Sequence, residues 1–144
     1  MKDKFIKLYM DWASRTAQLS HARRLQVGAV IVKDDSVISY GYNGMPAGWD
    51  NNCEYETGTE LKTRPEVLHA ETNAIAKLAR SNESGLGADI FITHAPCLDC
   101  AKLIYQSGIK RVIYGTAYRD TNGVDFLKNS GVAVDQVNMS QDKE

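Results

Sequence analysis

The sequence predicts a three-layer α/β protein, in which a mixed five-stranded sheet lies between helices that cover both of its faces. Two β-rich runs come first and are separated by three turn-type residues, which indicates an antiparallel hairpin. Helical and strand patterns then alternate as α-β-α-β-α-β, which indicates parallel strands with helices on both faces. Ligands of such sheets bind at the carboxyl ends of the strands, so we expect the functional residues there.

The first helix and the hairpin are predicted from the spacing of apolar residues. Over residues 4–20, apolar side chains recur every three or four positions, as in an amphipathic helix that covers one face of a sheet. The hairpin strands are predicted over residues 25–32 and 36–42, joined by residues 33–35. The first strand is almost continuously apolar, which indicates burial on both faces.

A polar segment separates the hairpin from the remaining elements. Residues 43–64 are rich in Gly, Asn and Thr and show no periodicity, and a loop of this length in a compact domain tends to be functional. The later elements are predicted from helical spacing and from apolar runs between turn signals. They are a helix over residues 66–80, a buried strand at 88–93, a helix at 98–107 that ends at Gly108, a strand at 110–115, a short helix at 123–129 and an edge strand at 132–134.

Composition and charge limit the class of protein. The apolar fraction of 43% over 144 residues is that of an ordinary globular protein, so we predict one domain over residues 1–144. With 17 basic and 18 acidic residues and no dense run of Lys or Arg, the sequence argues against a polynucleotide substrate. There is no signal-peptide pattern and no apolar run that could span a bilayer, and three cysteines fit a reducing compartment, so we expect a cytoplasmic protein.

Three residues form a candidate metal site at the starts of two predicted helices. His69 lies in the run His-Ala-Glu, and Cys97 and Cys100 lie in the run Pro-Cys-Leu-Asp-Cys. One imidazole and two thiolates suit a tetrahedral zinc whose fourth position stays free for water, as in catalytic sites. Zinc lowers the pKa of a bound water from about 15.7 to about 7. Glu71, two residues after His69, is the candidate general acid and base.

Two other interpretations of the cysteine pair stay open at this point. The pattern Cys-x-x-Cys also occurs in redox pairs and as one half of a structural zinc site. A structural site would normally need a fourth protein ligand, for which Cys53 and His94 are the candidates of note. Cys53 lies in the polar loop without a cysteine partner at ligand spacing, which is typical of an ordinary loop cysteine.

The order His-x-Glu followed by Pro-Cys-x-x-Cys is a known signature of zinc-dependent nucleobase deaminases. The sequence resembles the cytidine and deoxycytidylate deaminase superfamily over nearly its whole length. The loop Gly-Tyr-Asn-Gly-Met-Pro favours the deoxycytidylate (dCMP) deaminase branch. The runs that carry the resemblance, besides His69-Ala70-Glu71 and Pro96 to Cys100, are residues 27–32, 41–46, 100–104 and 106–109.

This resemblance implies a cytidine deaminase-like fold and hydrolysis of dCMP to dUMP and ammonia, which supplies dUMP for thymidylate synthesis. It also implies that Glu71 protonates N3 of the base and later the leaving amine, and that the backbone near Ala70 and Pro96 shapes the base pocket. Asn43 is expected to hydrogen-bond the sugar. An asparagine before glycine also stabilises turns, so a purely local role for Asn43 stays open.

The 5′-phosphate of such a substrate needs cations or hydrogen-bond donors. Arg23, Arg24 and Tyr118 are the candidates, because arginine grips phosphate with two parallel hydrogen bonds and a tyrosine stands at this point in the relatives. Alternatively, Arg23 and Arg24 form a solvated charge pair at the end of a helix.

The resemblance further assigns regulation to the loop that follows Asn43. In relatives this loop binds dCTP as activator and dTTP as inhibitor, with Mg²⁺ on the triphosphate, and a homohexamer is implied. The alternative is an irregular surface loop. The matching residues in this sequence are Gly44, Met45, Pro46, Gly48 and Trp49.

Two other classes of function compete with this interpretation. A tRNA adenosine deaminase or a DNA-acting deaminase would carry the same zinc signature, but the near-neutral charge disfavours a polynucleotide partner. A zinc-binding module without enzyme activity would have lost its proton shuttle, whereas Glu71 is present.

Overall fold

The computed structural model describes residues 1–138, so residues 139–144 of the predicted domain lie outside the described part. The elements, in chain order, are α1 (Asp3–Ala17), β1 (Gly28–Lys33), β2 (Ser36–Tyr42), β3 (Glu54–Thr57), β4 (Glu60–Thr63), α2 (Ala70–Ala79), β5 (Asp89–His94), α3 (Leu98–Gln106), β6 (Arg111–Thr116), α4 (Asn122–Asn129) and β7 (Ala133–Gln136).

Five of these strands form one mixed sheet in the order β2-β1-β5-β6-β7. Strand β1 is antiparallel to both β2 and β5, whereas β5, β6 and β7 are parallel to one another. The structure confirms the predicted antiparallel hairpin, the parallel strands after it and the edge position of the last strand. Because α3 follows β5 and the next loop follows β6, the carboxyl ends of these strands bring both loops to one edge of the sheet.

Helices cover both faces of the sheet. Along β1, Val30 packs with Tyr9 and Met10 of α1 on one face, while Ile31 faces the helices α2, α3 and α4 on the other. Residues 29–31 have no accessible surface. Burial on both faces therefore explains why this strand is almost continuously apolar.

The helix that carries the first candidate ligand begins later than the sequence predicts. It starts at Ala70 and not at residue 66. The backbone N–H of Leu68 donates to the carbonyl of Gly44 at 2.8 Å, and the N–H of Gly44 donates back at 3.1 Å. This two-way bridge holds the chain extended just before His69, a long-range constraint that helical periodicity does not reveal.

The sequence suggested an irregular loop over residues 43–64, but part of this polar segment is regular. It contains the small hairpin formed by β3 and β4, which is a separate two-stranded sheet. Gly58 in its turn has a φ of 61°, which suits glycine. The strands Glu-Tyr-Glu-Thr and Glu-Leu-Lys-Thr are mostly exposed, so they lack the apolar signal on which strand prediction depends.

Of two turns predicted from the sequence, one is shorter in the structure and the other is confirmed. The loop between β1 and β2 has two residues, Asp34 and Asp35, rather than three, and both have a positive φ as in tight hairpin turns. Gly108 has a φ of 84° after α3, which confirms the predicted glycine cap.

No helix within residues 1–138 combines the length and the apolar character needed to cross a bilayer.

Gly28 allows α1 to lie directly on the sheet, because a Cβ there would overlap the carbonyl oxygen of Ala13 and the backbone of Ala17. We expect Gly28→Ala to lower the free energy of unfolding by about 1–3 kcal/mol, as overpacking of a core does. Gly44→Ala is the control, since a Cβ at Gly44 meets no heavy atom within 4 Å. Urea unfolding measures both, and equal midpoints would contradict this account of the packing.

Candidate active site

The three candidate metal ligands come together as the sequence predicts. The Nδ1 atom of His69 lies 3.2 Å from Sγ of Cys100 and 3.6 Å from Sγ of Cys97, and the three donor atoms lie within 4.8 Å of one another. Zinc bonds of about 2.0 Å to nitrogen and 2.3 Å to sulfur require tetrahedral ligands to be separated by about 3.5 Å. The distances from His69 to the two sulfurs lie close to this value, so the cluster fits a zinc ion.

Local structure explains why these side chains converge. His69 is the N-cap residue of α2 and Cys97 is the N-cap residue of α3, whereas Cys100 lies in the first turn of α3. Helix N-termini carry unpaired N–H groups and a partial positive charge, which favour thiolate over thiol. The three ligands differ in exposure to solvent. His69 is exposed, Cys97 is half-buried and Cys100 is buried.

The two thiols differ in acidity. Hydrogen bonds from Cys100 and then from His69 lower the pKa of Cys97 to about 4. The pKa of Cys100 is raised, because its thiol is paired with Cys97 and is buried. Thr72, whose Oγ1 lies 3.7 Å from the sulfur of Cys100, is a further polar neighbour of the cluster.

Glu71 lies in the first turn of α2 and is 4% exposed. Burial raises the pKa of its carboxyl to about 7, because a low-dielectric environment disfavours the charged form. Among the described residues, the group that could hold a metal comprises His69, Cys97 and Cys100, without Glu71, Cys53 or His94. A set of three protein ligands fits an open catalytic site better than a closed structural one.

A cavity of about 400 Å³ lies beside the cluster, which is the size of a small-molecule site. His69, Cys97 and Glu71 are among the residues that line it. Four of the predicted substrate residues also line it, namely Arg24, Asn43, Ala70 and Tyr118. The structure therefore brings most of the predicted site together around one space.

Arg23 and Pro96 are not among the residues that line the cavity. The Nε of Arg23 lies 3.4 Å from a carboxylate oxygen of Glu54, and its Nη2 lies 3.3 Å from Oδ1 of Asn52. Pro96 is fully buried. Arg23 and Arg24, which the sequence presents as equivalent, thus have different surroundings.

Asn43 has a structural role as well as a place in the cavity wall. Its Oδ1 accepts from the N–H of Val27 at 2.9 Å, and its Nδ2 donates to the carbonyl of Leu25 at 2.7 Å. These bonds fix residues 25–27 at the rim of the cavity. A side-chain amide has two acceptor and two donor positions, so Asn43 keeps the capacity to bond a ligand.

Tyr118 lies far from Arg24 and Asn43 in the sequence, in the loop that follows β6. Partial burial raises the pKa of its phenol, and the negative charges of Cys97 and Glu71 add to this effect. The phenol is therefore an O–H donor at neutral pH.

Several residues of the cavity wall were not predicted from the sequence. Glu54 and Thr63 belong to the small hairpin, and no spacing rule pointed to them. His94, whose role the sequence left open, also lines the cavity. Its Nδ1 lies 2.8 Å from Oγ1 of Thr93, which accepts the N–H of Gly28 at 3.1 Å, so the hydroxyl proton of Thr93 is free to bond the imidazole.

Comparisons with known proteins agree with this geometry. The family model of the cytidine and deoxycytidylate deaminase zinc-binding region matches residues 3–116. The chain is 37% identical over 150 residues to deoxycytidylate deaminase of Enterobacteria phage T4, covering 76% of this chain and 77% of the relative. It is 36% identical over 135 residues to ComE operon protein 2 of Bacillus subtilis, covering 92% and 71%.

A similar solved structure is that of dCMP deaminase from the cyanophage S-TIM5 in complex with dCMP and dUMP. It has 45% sequence identity and a TM-score of 0.90, with 95% of this chain and 99% of that chain covered.

The ligand assignment predicts which variants keep their metal. We expect Cys100→Ala to lose stoichiometric zinc and to melt at a lower temperature, because metal affinity is coupled to folding. Glu71→Ala should keep its zinc and its fold, since the carboxylate lies outside the ligand cluster. Cys53→Ala is the matched cysteine control. Metal analysis of the purified proteins measures the content, and loss of zinc from Glu71→Ala would show that the carboxylate is a ligand.

Proposed function

The chain belongs to the cytidine and deoxycytidylate deaminase family, and we propose that it hydrolyses dCMP to dUMP and ammonia. The observation that carries the proposal is that one cavity is lined by the ligands His69 and Cys97, by the buried Glu71 and by the donors Arg24 and Tyr118. The similar cyanophage enzyme was solved with dCMP and dUMP, which supports the same substrate and product here.

The reaction replaces the C4–N bond of the base by a C4–O bond. Zinc held by His69, Cys97 and Cys100 would supply an activated water nucleophile at neutral pH. Glu71 accepts a proton from the attacking water, gives it to N3 of the base, and then carries a proton to the departing amine, so that ammonia leaves. Its burial excludes bulk water from these transfers.

The remaining cavity residues bind the nucleotide. Ala70 and the backbone near Pro96 shape the base pocket, and Asn43 bonds the sugar from the rim that it stabilises. Arg24 and Tyr118 bind the 5′-phosphate, as a cation and as a neutral donor. Thiolate ligands must stay reduced to hold zinc, so we place the enzyme in the cytoplasm.

We also propose that the loop after Asn43 is an effector site in a homohexamer. A second cavity of about 220 Å³ is lined by residues that include Gly44, Met45, Pro46 and Gly48, while Trp49 is 58% exposed. The bridge between Gly44 and Leu68 links this loop to the residue before His69. In this proposal dCTP with Mg²⁺ activates and dTTP inhibits, by binding two states of the loop with different affinity.

The substrate proposal predicts a strong preference for the nucleotide. We expect deoxycytidine to react at least about a hundredfold more slowly than dCMP, because it has no 5′-phosphate to pair with Arg24 and Tyr118. Ammonia release from dCMP, CMP, deoxycytidine and dCTP, with zinc quantified, measures this preference. Glu71→Ala is the control for contaminating activity, and equal rates on dCMP and deoxycytidine would instead indicate a nucleoside deaminase.

The regulatory proposal predicts the shape of the saturation curve. Without effector, the dependence of rate on dCMP should be sigmoidal, and dCTP with Mg²⁺ should make it hyperbolic while dTTP opposes this change. A coupling of about 1–3 kcal/mol corresponds to roughly a 5- to 150-fold change in substrate affinity. Hyperbolic curves that neither triphosphate alters would remove the effector site and leave the catalytic proposal intact.

A further inference from the structure

Glu54 is an unusual residue for the small hairpin that contains it. The hairpin strands are mostly exposed, yet Glu54 is 1% exposed and lines the main cavity. A buried carboxylate is costly unless hydrogen bonds and an opposite charge compensate it. Both are present, so the buried carboxylate of Glu54 is stabilised by specific partners.

The carboxylate of Glu54 accepts hydrogen bonds from two consecutive residues of the cavity rim. Its Oε2 accepts the backbone N–H of Arg23 at 2.9 Å and that of Arg24 at 3.1 Å. Its Oε1 lies 3.4 Å from Nε of Arg23. The backbone of Arg24 is therefore fixed by a buried anion, while the side chain of Arg23 neutralises that anion beside a space proposed for a phosphate.

The guanidinium of Arg24 is held by the opposite strand of the same hairpin. Its Nη1 donates to Oγ1 of Thr63 at 3.1 Å. Glu54 and Thr63 are direct partners in the register of the two strands. One cross-strand pair thus fixes both the backbone and the charged end of Arg24, and a guanidinium has five N–H donors, so donors remain for a phosphate.

We propose that Glu54 and Thr63 are positioning residues that orient Arg24 toward the 5′-phosphate and so set the preference for nucleotide over nucleoside. This inference rests on the proposed function, in which Arg24 binds the phosphate. A free arginine side chain loses rotational freedom when it binds a ligand, whereas one that is already oriented loses less. The hairpin contributes this orientation and takes no part in proton transfer.

The test compares Glu54→Gln with Glu56→Gln, an exposed position two residues along the same strand. Glutamine keeps the size of Glu54 and one oxygen for the two backbone N–H groups, but it removes the negative charge and places an N–H donor, its amide nitrogen, against Nε of Arg23. We expect Glu54→Gln to raise the KM for dCMP about tenfold with kcat little changed, and to lower the ratio of kcat/KM for dCMP over deoxycytidine by the same factor. Glu56→Gln should behave as the unmodified protein.

Thr63→Val keeps the β-branched shape at an exposed position and removes the acceptor of the Arg24 guanidinium. It should lower the same ratio about threefold, as expected for one ordinary hydrogen bond. If Glu54→Gln does not fold, as judged by thermal unfolding and zinc content, Thr63→Val decides the question. Calorimetry with dUMP and with deoxyuridine provides a readout without turnover, in which only dUMP binding should weaken.

Arg24→Ala separates failure of this inference from failure of the proposed function. If Arg24→Ala lowers the ratio but Glu54→Gln and Thr63→Val leave it unchanged, the positioning role is wrong and the phosphate role of Arg24 stands. If Arg24→Ala itself leaves the ratio unchanged, the phosphate assignment in the proposed function is wrong. Parallel losses on dCMP and deoxycytidine in Glu54→Gln would show a merely structural role and overturn the inference.

Discussion

The catalytic geometry depends on the close approach of two helix N-termini at one edge of the sheet. His69 caps α2 and Cys97 caps α3, so the relative position of these helices fixes the distances between the ligands. Two glycines let neighbouring elements pack closely against these two helix starts. A Cβ at Gly41 would overlap the carbonyl of Ala70, and a Cβ at Gly123 would overlap the carbonyl of Pro96. Close backbone packing of β2 on the start of α2, and of α4 on the segment before α3, thus holds each set of ligands in its place.

Around this rigid centre, the substrate-facing residues are supported by hydrogen bonds to distant parts of the backbone. Asn43 fixes residues 25–27, and Glu54 fixes the two residues that precede this segment. Asn43 and Glu54 therefore support the cavity rim, because their side chains accept hydrogen bonds from the backbone N–H groups of residues 23, 24 and 27. Such supports hold binding groups in place when the groups themselves lie on loops.

Features that depend on local chemistry or on a continuous buried run were predictable from the sequence, whereas features that depend on contacts between distant residues were not. His69, Cys97 and Cys100 were predictable because the chemistry of zinc demands those residue types at those spacings, and β1 because burial on both faces demands a continuous apolar run. The predicted start of α2 was wrong, because the bridge from Leu68 to Gly44 joins residues that are more than twenty positions apart in the sequence. Glu54 was missed for the same reason, because its burial comes from partners some thirty residues away and not from its own strand.

The graded exposure of the ligand cluster has a consequence for metal exchange. Solvent reaches the imidazole of His69 more readily than the sulfur of Cys100. A chelator would therefore displace the histidine first, while the paired sulfurs still held the ion. Because His69 also begins α2, stepwise release would free the start of the helix that carries Glu71 before the thiolates let go. Release of the imidazole and loosening of the helix that carries Glu71 would then be one kinetic step, which precedes the slower release of the ion from the two sulfurs.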